Sequence, residues 1–129
     1  MVKSLNTQVN LTTQAISYLT IGANYGELLI GDKAFEFFNS ANVADFIQIP
    51  WETIDHVEGV VTRQNKISRQ FVIVLKQQGD SKRQDNFRFS SKEAGKVLKL
   101  IREHLGNDKV VKAPTLISKI KKLLTKRKS

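Results

Sequence analysis

The sequence predicts a mainly β domain that ends in one helix, and three observations support this prediction. Residues 14 to 90 consist of short apolar runs rich in β-branched and aromatic residues, separated by turn-forming residues. Several runs alternate apolar and polar side chains, as a strand with one buried face does. An amphipathic segment with helical spacing follows the last run. The length of 129 residues fits a single domain.

Seven strands are predicted in chain order. They cover residues 14–21, 26–31, 33–39, 44–50, 56–64, 69–77 and 85–90. Phe35 and Phe37 share one face of their strand, and Phe87 and Phe89 share one face of theirs, which predicts aromatic side chains in the core. Asn, Asp and Gly between the runs favour tight turns. The expected result is an antiparallel barrel or sandwich.

The predicted helix begins after the seventh strand. Ser90 and Glu93 have the spacing of a capping box, in which each side chain accepts a hydrogen bond from the other's backbone. The apolar residues of the segment fall on one helical face, at Ala94, Val97, Leu98, Ile101 and Leu105. Gly106 supplies a C-terminal stop. We therefore predict a folded domain over residues 1–107 and a tail over residues 108–129.

The positive charge of the chain is concentrated in this tail. Residues 1–108 contain 13 Lys/Arg and 12 Asp/Glu, whereas residues 109–129 contain 8 Lys/Arg and no acidic residue. The formal net charge of +9 therefore belongs almost entirely to the last 21 residues. A nearly neutral body with a cationic appendage indicates docking on an anionic partner or surface.

The tail has the pattern of a short amphipathic helix that starts near Pro114. Its apolar stripe consists of Leu116, Ile117, Ile120, Leu123 and Leu124, and its basic residues are Lys119, Lys121, Lys122, Lys126, Arg127 and Lys128. Helices of this type bind an anionic membrane surface or an acidic groove of a partner. Each basic residue near an anionic leaflet contributes about 1 kcal/mol, so reversible attachment is feasible. The alternative is that the stripe packs on the protein's own sheet or on a second copy.

A secondary contact surface is predicted at the hairpin between the fifth and sixth strands. Arg63, Lys66 and Arg69 lie there, where basic side chains could contact phosphate groups, with a merely solvated hairpin as the alternative. Trp51 is the only tryptophan and follows Pro50. It is a candidate interface anchor, although a lone aromatic residue after a strand is more often buried.

No pattern in the sequence predicts catalysis. The chain has no cysteine and two histidines without ligand spacing, and it contains none of the common nucleotide, hydrolase or metal motifs. The acidic residues of the strands, among them Asp32, Glu36 and Asp55, are expected to be solvated. We therefore predict no catalytic residue, no cofactor and no metal site.

Two resemblances extend this interpretation. Seven strands followed by one helix resemble pleckstrin-homology-like (PH-like) and GRAM-like domains. The segments GDKAFEF (31–37) and QIPWE (48–52) resemble the ManO-like family of unknown-function proteins, which are encoded in operons of mannose-family phosphotransferase systems. This second resemblance extends from Ser4 to about Leu105.

The family resemblance implies a non-enzymatic accessory or regulatory protein that binds membrane subunits of a mannose-family phosphotransferase system and modulates sugar uptake. The absence of cysteine, of a recognisable signal peptide and of a long apolar segment fits a cytoplasmic protein, peripheral at the inner face of the cell membrane. The alternative is a transcriptional regulator of the same operon that uses the tail on DNA phosphates, although no motif for specific nucleic-acid recognition is present. An enzyme acting on a sugar phosphate has the least support.

Overall fold

The computed structural model describes residues 3–18, 23–42, 44–62, 64, 66–77 and 85–113. Eight strands and one α-helix account for most of these residues. The strands are β1 (Val9–Tyr18), β2 (Asn24–Gly31), β3 (Ala34–Asn39), β4 (Phe46–Pro50), β5 (Ile54–Val61), β6 (Ile67–Leu75), β7 (Asn86–Ser90) and β8 (Val110–Lys112), and the helix is α1 (Ala94–Leu105). Short 3-10 turns at Trp51–Thr53 and Asn107–Lys109 precede β5 and β8.

The strands form one sheet in the order β4-β3-β2-β1-β7-β6-β5-β8. Neighbouring strands are antiparallel except for β5 and β8, which are parallel. Within the described residues, the end strands β4 and β8 do not pair with each other, so the sheet is not closed into a barrel. All seven predicted strands are confirmed, with ends shifted by up to five residues.

The eighth strand was not predicted. Val110 and Val111 follow the helix stop directly and pair with Val57 and Glu58 of β5. Val110 is buried, and Ala113 donates its backbone N–H to the carbonyl of Gly59 at 2.9 Å. The first residues of the segment that we predicted as a tail therefore belong to the sheet.

The core lies between one face of the sheet and α1. Phe35, Phe71 and Phe89 are fully buried and contact one another, with ring centroids 5.1 to 6.1 Å apart. Aromatic pairs at such distances contribute about 0.5 to 1.5 kcal/mol beyond their buried area. The apolar stripe of α1 meets this cluster through Val97, Leu98 and Ile101, as the helical spacing predicts.

The helix begins later than the sequence predicts. Ser90 is the last residue of β7, paired with both Ile16 and Gln70, so it cannot act as the N-cap. The residue before α1 is Glu93, and no side chain caps it. Ser91 instead accepts a hydrogen bond from the Glu93 N–H at 3.2 Å. The predicted stop is confirmed, since Gly106 has φ +105° and donates its N–H to Arg102.

Candidate binding surfaces

The structure describes only some of the predicted contact residues. The tail residues Leu116, Ile117, Lys119, Ile120, Lys121, Lys122, Leu123, Leu124, Lys126, Arg127 and Lys128 lie outside the described residues, as does Arg63. Lys66 and Arg69 are exposed. They flank the start of β6, and the hairpin is held by a hydrogen bond from the Thr62 N–H to the Lys66 carbonyl at 2.8 Å.

Trp51 is not an exposed anchor. It is only 7% exposed, and its indole N–H donates to the Gly31 carbonyl at 3.0 Å. One face of its ring stacks on His104 near the end of α1, with centroids 4.5 Å apart and planes 12° apart. This packing ties the turn before β5 to the helix, so the residue has a structural position and the alternative of burial is confirmed.

The start of the tail is held beside the basic hairpin. β8 ends at Lys112, in register with Gly59, and β5 ends two residues later at Val61. Thr62, the first residue of the hairpin, is three residues beyond Gly59, so the distance along the strand direction is about 10 Å at about 3.4 Å per residue. Because β8 is parallel to β5, it runs from Val110 to Lys112 toward the hairpin that contains Lys66.

A cleft of about 510 Å³ opens between β1, the start of β6 and the residues before α1. Five consecutive residues of β1, from Thr12 to Ile16, line it. Successive side chains of a strand point to opposite faces, so five consecutive lining residues mean that the edge of the strand faces the cleft. The opposite wall contains Arg69, Ser90, Ser91, Lys92 and Glu93, and Tyr25 lies at the rim.

The cleft exists because β7 ends at Ser90, while β1 extends beyond the residues that pair with β7. β7 pairs with β1 only from Ile16 to Tyr18, whereas the earlier residues of β1 pair with β2 alone within the described part of the chain. The Ser91 hydroxyl crosses the gap and donates to the Gln14 carbonyl at 3.0 Å. The Ser91 N–H donates to the Arg69 carbonyl, which fixes the opposite wall to β6.

The opposite face of β1–β4 is covered by the N-terminal residues 3–8. Glu36 is fully buried there, and its carboxylate accepts hydrogen bonds from the Leu5 N–H at 3.0 Å, from Asn6 Nδ2 at 2.9 Å and from Gln48 Nε2 at 2.7 Å. The Ser4 hydroxyl is a fourth donor. Our expectation that Glu36 is solvated was therefore wrong, because its partners come from residues 30 to 32 positions earlier and from Gln48 on the neighbouring strand.

Two further contacts fasten this N-terminal segment. Asn6 Oδ1 accepts hydrogen bonds from the N–H groups of Lys33 and Ala34, both at 2.8 Å, so its side chain acts as a partner for the start of β3. Asp32 accepts the N–H groups of Thr7 and Gln8 at 2.9 and 3.0 Å. The hydrogen bonds from Gln8 and Thr7 lower the pKa of Asp32 to about 2.

A local ionisable cluster lies on β5. His56 Nδ1 is 2.6 Å from Asp55 Oδ2, and His56 Nε2 is 3.2 Å from Glu58 Oε2. Partial burial alone lowers the pKa of His56, but the hydrogen bonds with Asp55 and Glu58 outweigh it and raise that pKa. The hydrogen bond with His56 lowers the pKa of Asp55. The cluster therefore favours a charged histidine.

Two other kinds of site are absent from the described ranges. No group of three or more His, Asp or Glu side chains there is arranged to hold a metal ion. No helix among the described residues combines the length and the apolar character that a membrane crossing requires.

These features define the class of the protein. Its fold is PH-like: the crystal structure of the Slm1 PH domain in complex with inositol-4-phosphate superposes with a TM-score of 0.53, covering 76% of this chain and 94% of that domain. Sequence identity is 12%, so the similarity concerns the fold alone. The chain belongs to the family described as domain of unknown function DUF956, which matches residues 1–124. No curated protein sequence matches it.

Proposed function

We propose that this protein is a non-enzymatic accessory protein that docks on membrane subunits of a mannose-family phosphotransferase system and modulates sugar uptake, with its basic tail in contact with the membrane or a subunit. The system and the partner follow from the sequence resemblance. The observation that carries the docking mode is the position of β8, which holds the first tail residues about 10 Å from the basic β5–β6 hairpin.

Charge supports this proposal. Lys66 and Arg69 are exposed at that end of the sheet, and the sequence after Ala113 contains six more basic residues and no acidic one. A cationic hairpin and a cationic segment that begins near it in the chain can act on the same anionic surface, and their contributions then add. The Slm1 PH domain holds an anionic inositol phosphate in its complex, which is compatible with an anionic ligand for this fold.

The test is a pull-down from membranes of the native host with tagged full-length protein, probed for phosphotransferase subunits. The variant reverses three tail charges, Lys119→Glu, Lys121→Glu and Lys122→Glu. A matched control reverses three exposed charges on α1, Lys96→Glu, Lys99→Glu and Arg102→Glu. We expect the wild type and the control to recover the subunits and the tail variant to lose most of this recovery.

Other outcomes would contradict parts of the proposal. Equal recovery by all three proteins would place binding outside the tail. Recovery by none, together with salt-sensitive DNA binding and a sequence-specific footprint, would support the transcriptional regulator instead. Truncation is a useful second variant only after Ala113, because a chain that ends at Asn107 lacks β8.

A further inference from the structure

The cleft beside β1 contains a strand edge with which no described strand pairs. The two backbone groups of one residue in an antiparallel strand point to the same edge, and the edge alternates along the chain. The Gln14 carbonyl points into the cleft, since it accepts the Ser91 hydroxyl. The N–H and C=O of Thr12, two residues earlier, therefore point to the same edge. No strand among the described residues pairs with β1 there.

An unpaired edge of this kind is a template for another strand. An added strand would form main-chain hydrogen bonds with Thr12 and would replace the Ser91 hydroxyl as the donor to the Gln14 carbonyl. Its successive side chains would point to opposite faces of the sheet. The apolar parts of Ile16 and Tyr25 are available for contact with small apolar side chains. A volume of about 510 Å³ accommodates a short extended segment.

The charge of the cleft lining favours an acidic segment. Arg69 and Lys92 are exposed on the wall opposite β1, and neither has an ion pair with a described residue. Glu93 is the one acidic residue of the lining. The N-terminus of α1 also lies at this wall, and its partial positive charge adds to that of the two cations. Acidic side chains on an added strand would lie near Arg69, Lys92 and the N-terminus of α1.

We propose that the cleft between β1 and the Arg69–Lys92 wall is a docking groove for an extended acidic peptide segment of a partner protein, which adds as a strand to the free edge of β1. The groove is separate from the tail on which the proposed function depends. Either proposal can therefore fail without the other.

The direct test is a titration of full-length 15N-labelled protein with a synthetic hexapeptide that alternates valine and glutamate. We expect amide shift changes confined to residues 12–16 and 69 and 91–92. A hexapeptide with lysine in place of glutamate should bind at least about tenfold more weakly, because like charges then meet at the wall. The same glutamate peptide with alternate amides N-methylated, so that they cannot donate, should also lose about tenfold in affinity.

Variants of the protein sharpen the test. Arg69→Glu should weaken binding of the glutamate peptide about tenfold. Lys66→Glu makes the same charge change three residues away, outside the cleft lining, and should change affinity by less than about twofold. Thr12→Pro removes an N–H that would donate to the added strand, so it should weaken binding. The variant should still fold, because proline is tolerated where a strand N–H has no ladder partner. If that variant fails to fold, the N-methylated peptide still tests the reciprocal hydrogen bonds, those from the peptide N–H groups to the carbonyls of the same edge.

Three outcomes would overturn the proposal. The first is no binding of the glutamate peptide, or equal binding by wild type and Arg69→Glu. The second is occupation by the tail: the chain has no cysteine, so a spin label on Ser129→Cys is unique, and broadening of the residue 12–16 amides would assign the groove to residues 114–129. The third is a dimer in sedimentation that Arg69→Glu dissociates, which would assign the edge to a second copy.

Discussion

Ionisable groups on the outer faces of the two halves of the sheet obtain their hydrogen-bond partners in different ways. On β1–β4, Glu36 receives its donors from the N-terminal segment and from Gln48, at separations of 12 to 32 residues. On β5, His56 finds both partners within two residues of itself. A long-range network can form only when the chain has folded, so its energy contributes to tertiary structure. A local cluster is largely available to the unfolded chain as well, and contributes less.

The largest expected effect tests the long-range side of this comparison. Glu36→Ala removes the fully buried carboxylate that accepts from the Leu5 N–H and from the side-chain amides of Asn6 and Gln48. Breaking a buried hydrogen-bond network is costly, so we expect the free energy of unfolding to fall by about 2 to 3 kcal/mol. Denaturant unfolding measures this loss, and hydrogen exchange should show that the Leu5 amide loses protection.

The control for this variant is Glu27→Ala. Glu27 is an exposed carboxylate on the neighbouring strand β2, and its replacement should change stability by less than about 0.5 kcal/mol. Similar losses for the two variants would mean that the N-terminal segment does not depend on Glu36.

An intermediate effect is expected where the two halves meet. Ser91 bridges the Gln14 carbonyl and the Glu93 N–H, so Ser91→Ala should cost about 1 kcal/mol of unfolding free energy. Ser90→Ala, one residue earlier, removes a hydroxyl that caps no helix and should cost less than about 0.5 kcal/mol. A larger loss of unfolding free energy for Ser90→Ala than for Ser91→Ala would support the capping box that the sequence predicts.

The smallest effect concerns the local cluster and depends on pH. The pKa of His56 is raised in the folded protein, so folding takes up protons and the stabilisation is complete below the ordinary value of 6.5. It is lost as the pH rises through the raised pKa. We expect the stability advantage of wild type over His56→Gln to shrink between pH 5.5 and 8.5, by less than about 1 kcal/mol.

The matched variant here is His104→Gln, which removes a ring that stacks on Trp51 but forms no ion pair with a carboxylate of the described residues. Denaturant unfolding of wild type and both variants at the two pH values measures the difference. An advantage over His56→Gln that grows with pH would contradict the prediction. The lowered pKa of Asp55 does not interfere, since that carboxylate remains ionised over this range.

The sequence predicted the elements that depend on local patterns. Alternation in KAFEFFN and DNFRFS identified core strands, and helical spacing with Gly106 identified α1 and its end. These patterns reflect which face of an element is buried, and neighbouring residues encode that. The hairpin residues Lys66 and Arg69 were correctly expected at the surface for the same reason.

What the sequence did not predict depends on pairing between distant residues. β8 has three residues, too short for a pattern, and forms because β5 has a free edge beside the end of α1. The buried state of Glu36 requires an N-terminal segment that has no regular structure. The cleft arises because β7 ends at Ser90 while β1 continues to Val9, and no single stretch of sequence records that difference in length.

The parallel pairing of β8 with β5 also has a mechanical consequence. If residues beyond Ala113 are held by a partner, tension along the strand direction loads the hydrogen bonds of Val110 to Ala113 together, in shear, rather than one after another. Bonds that must break simultaneously resist force better than bonds that open sequentially. The strand next to the tail would then transmit a pull to the core through Val57 instead of peeling away.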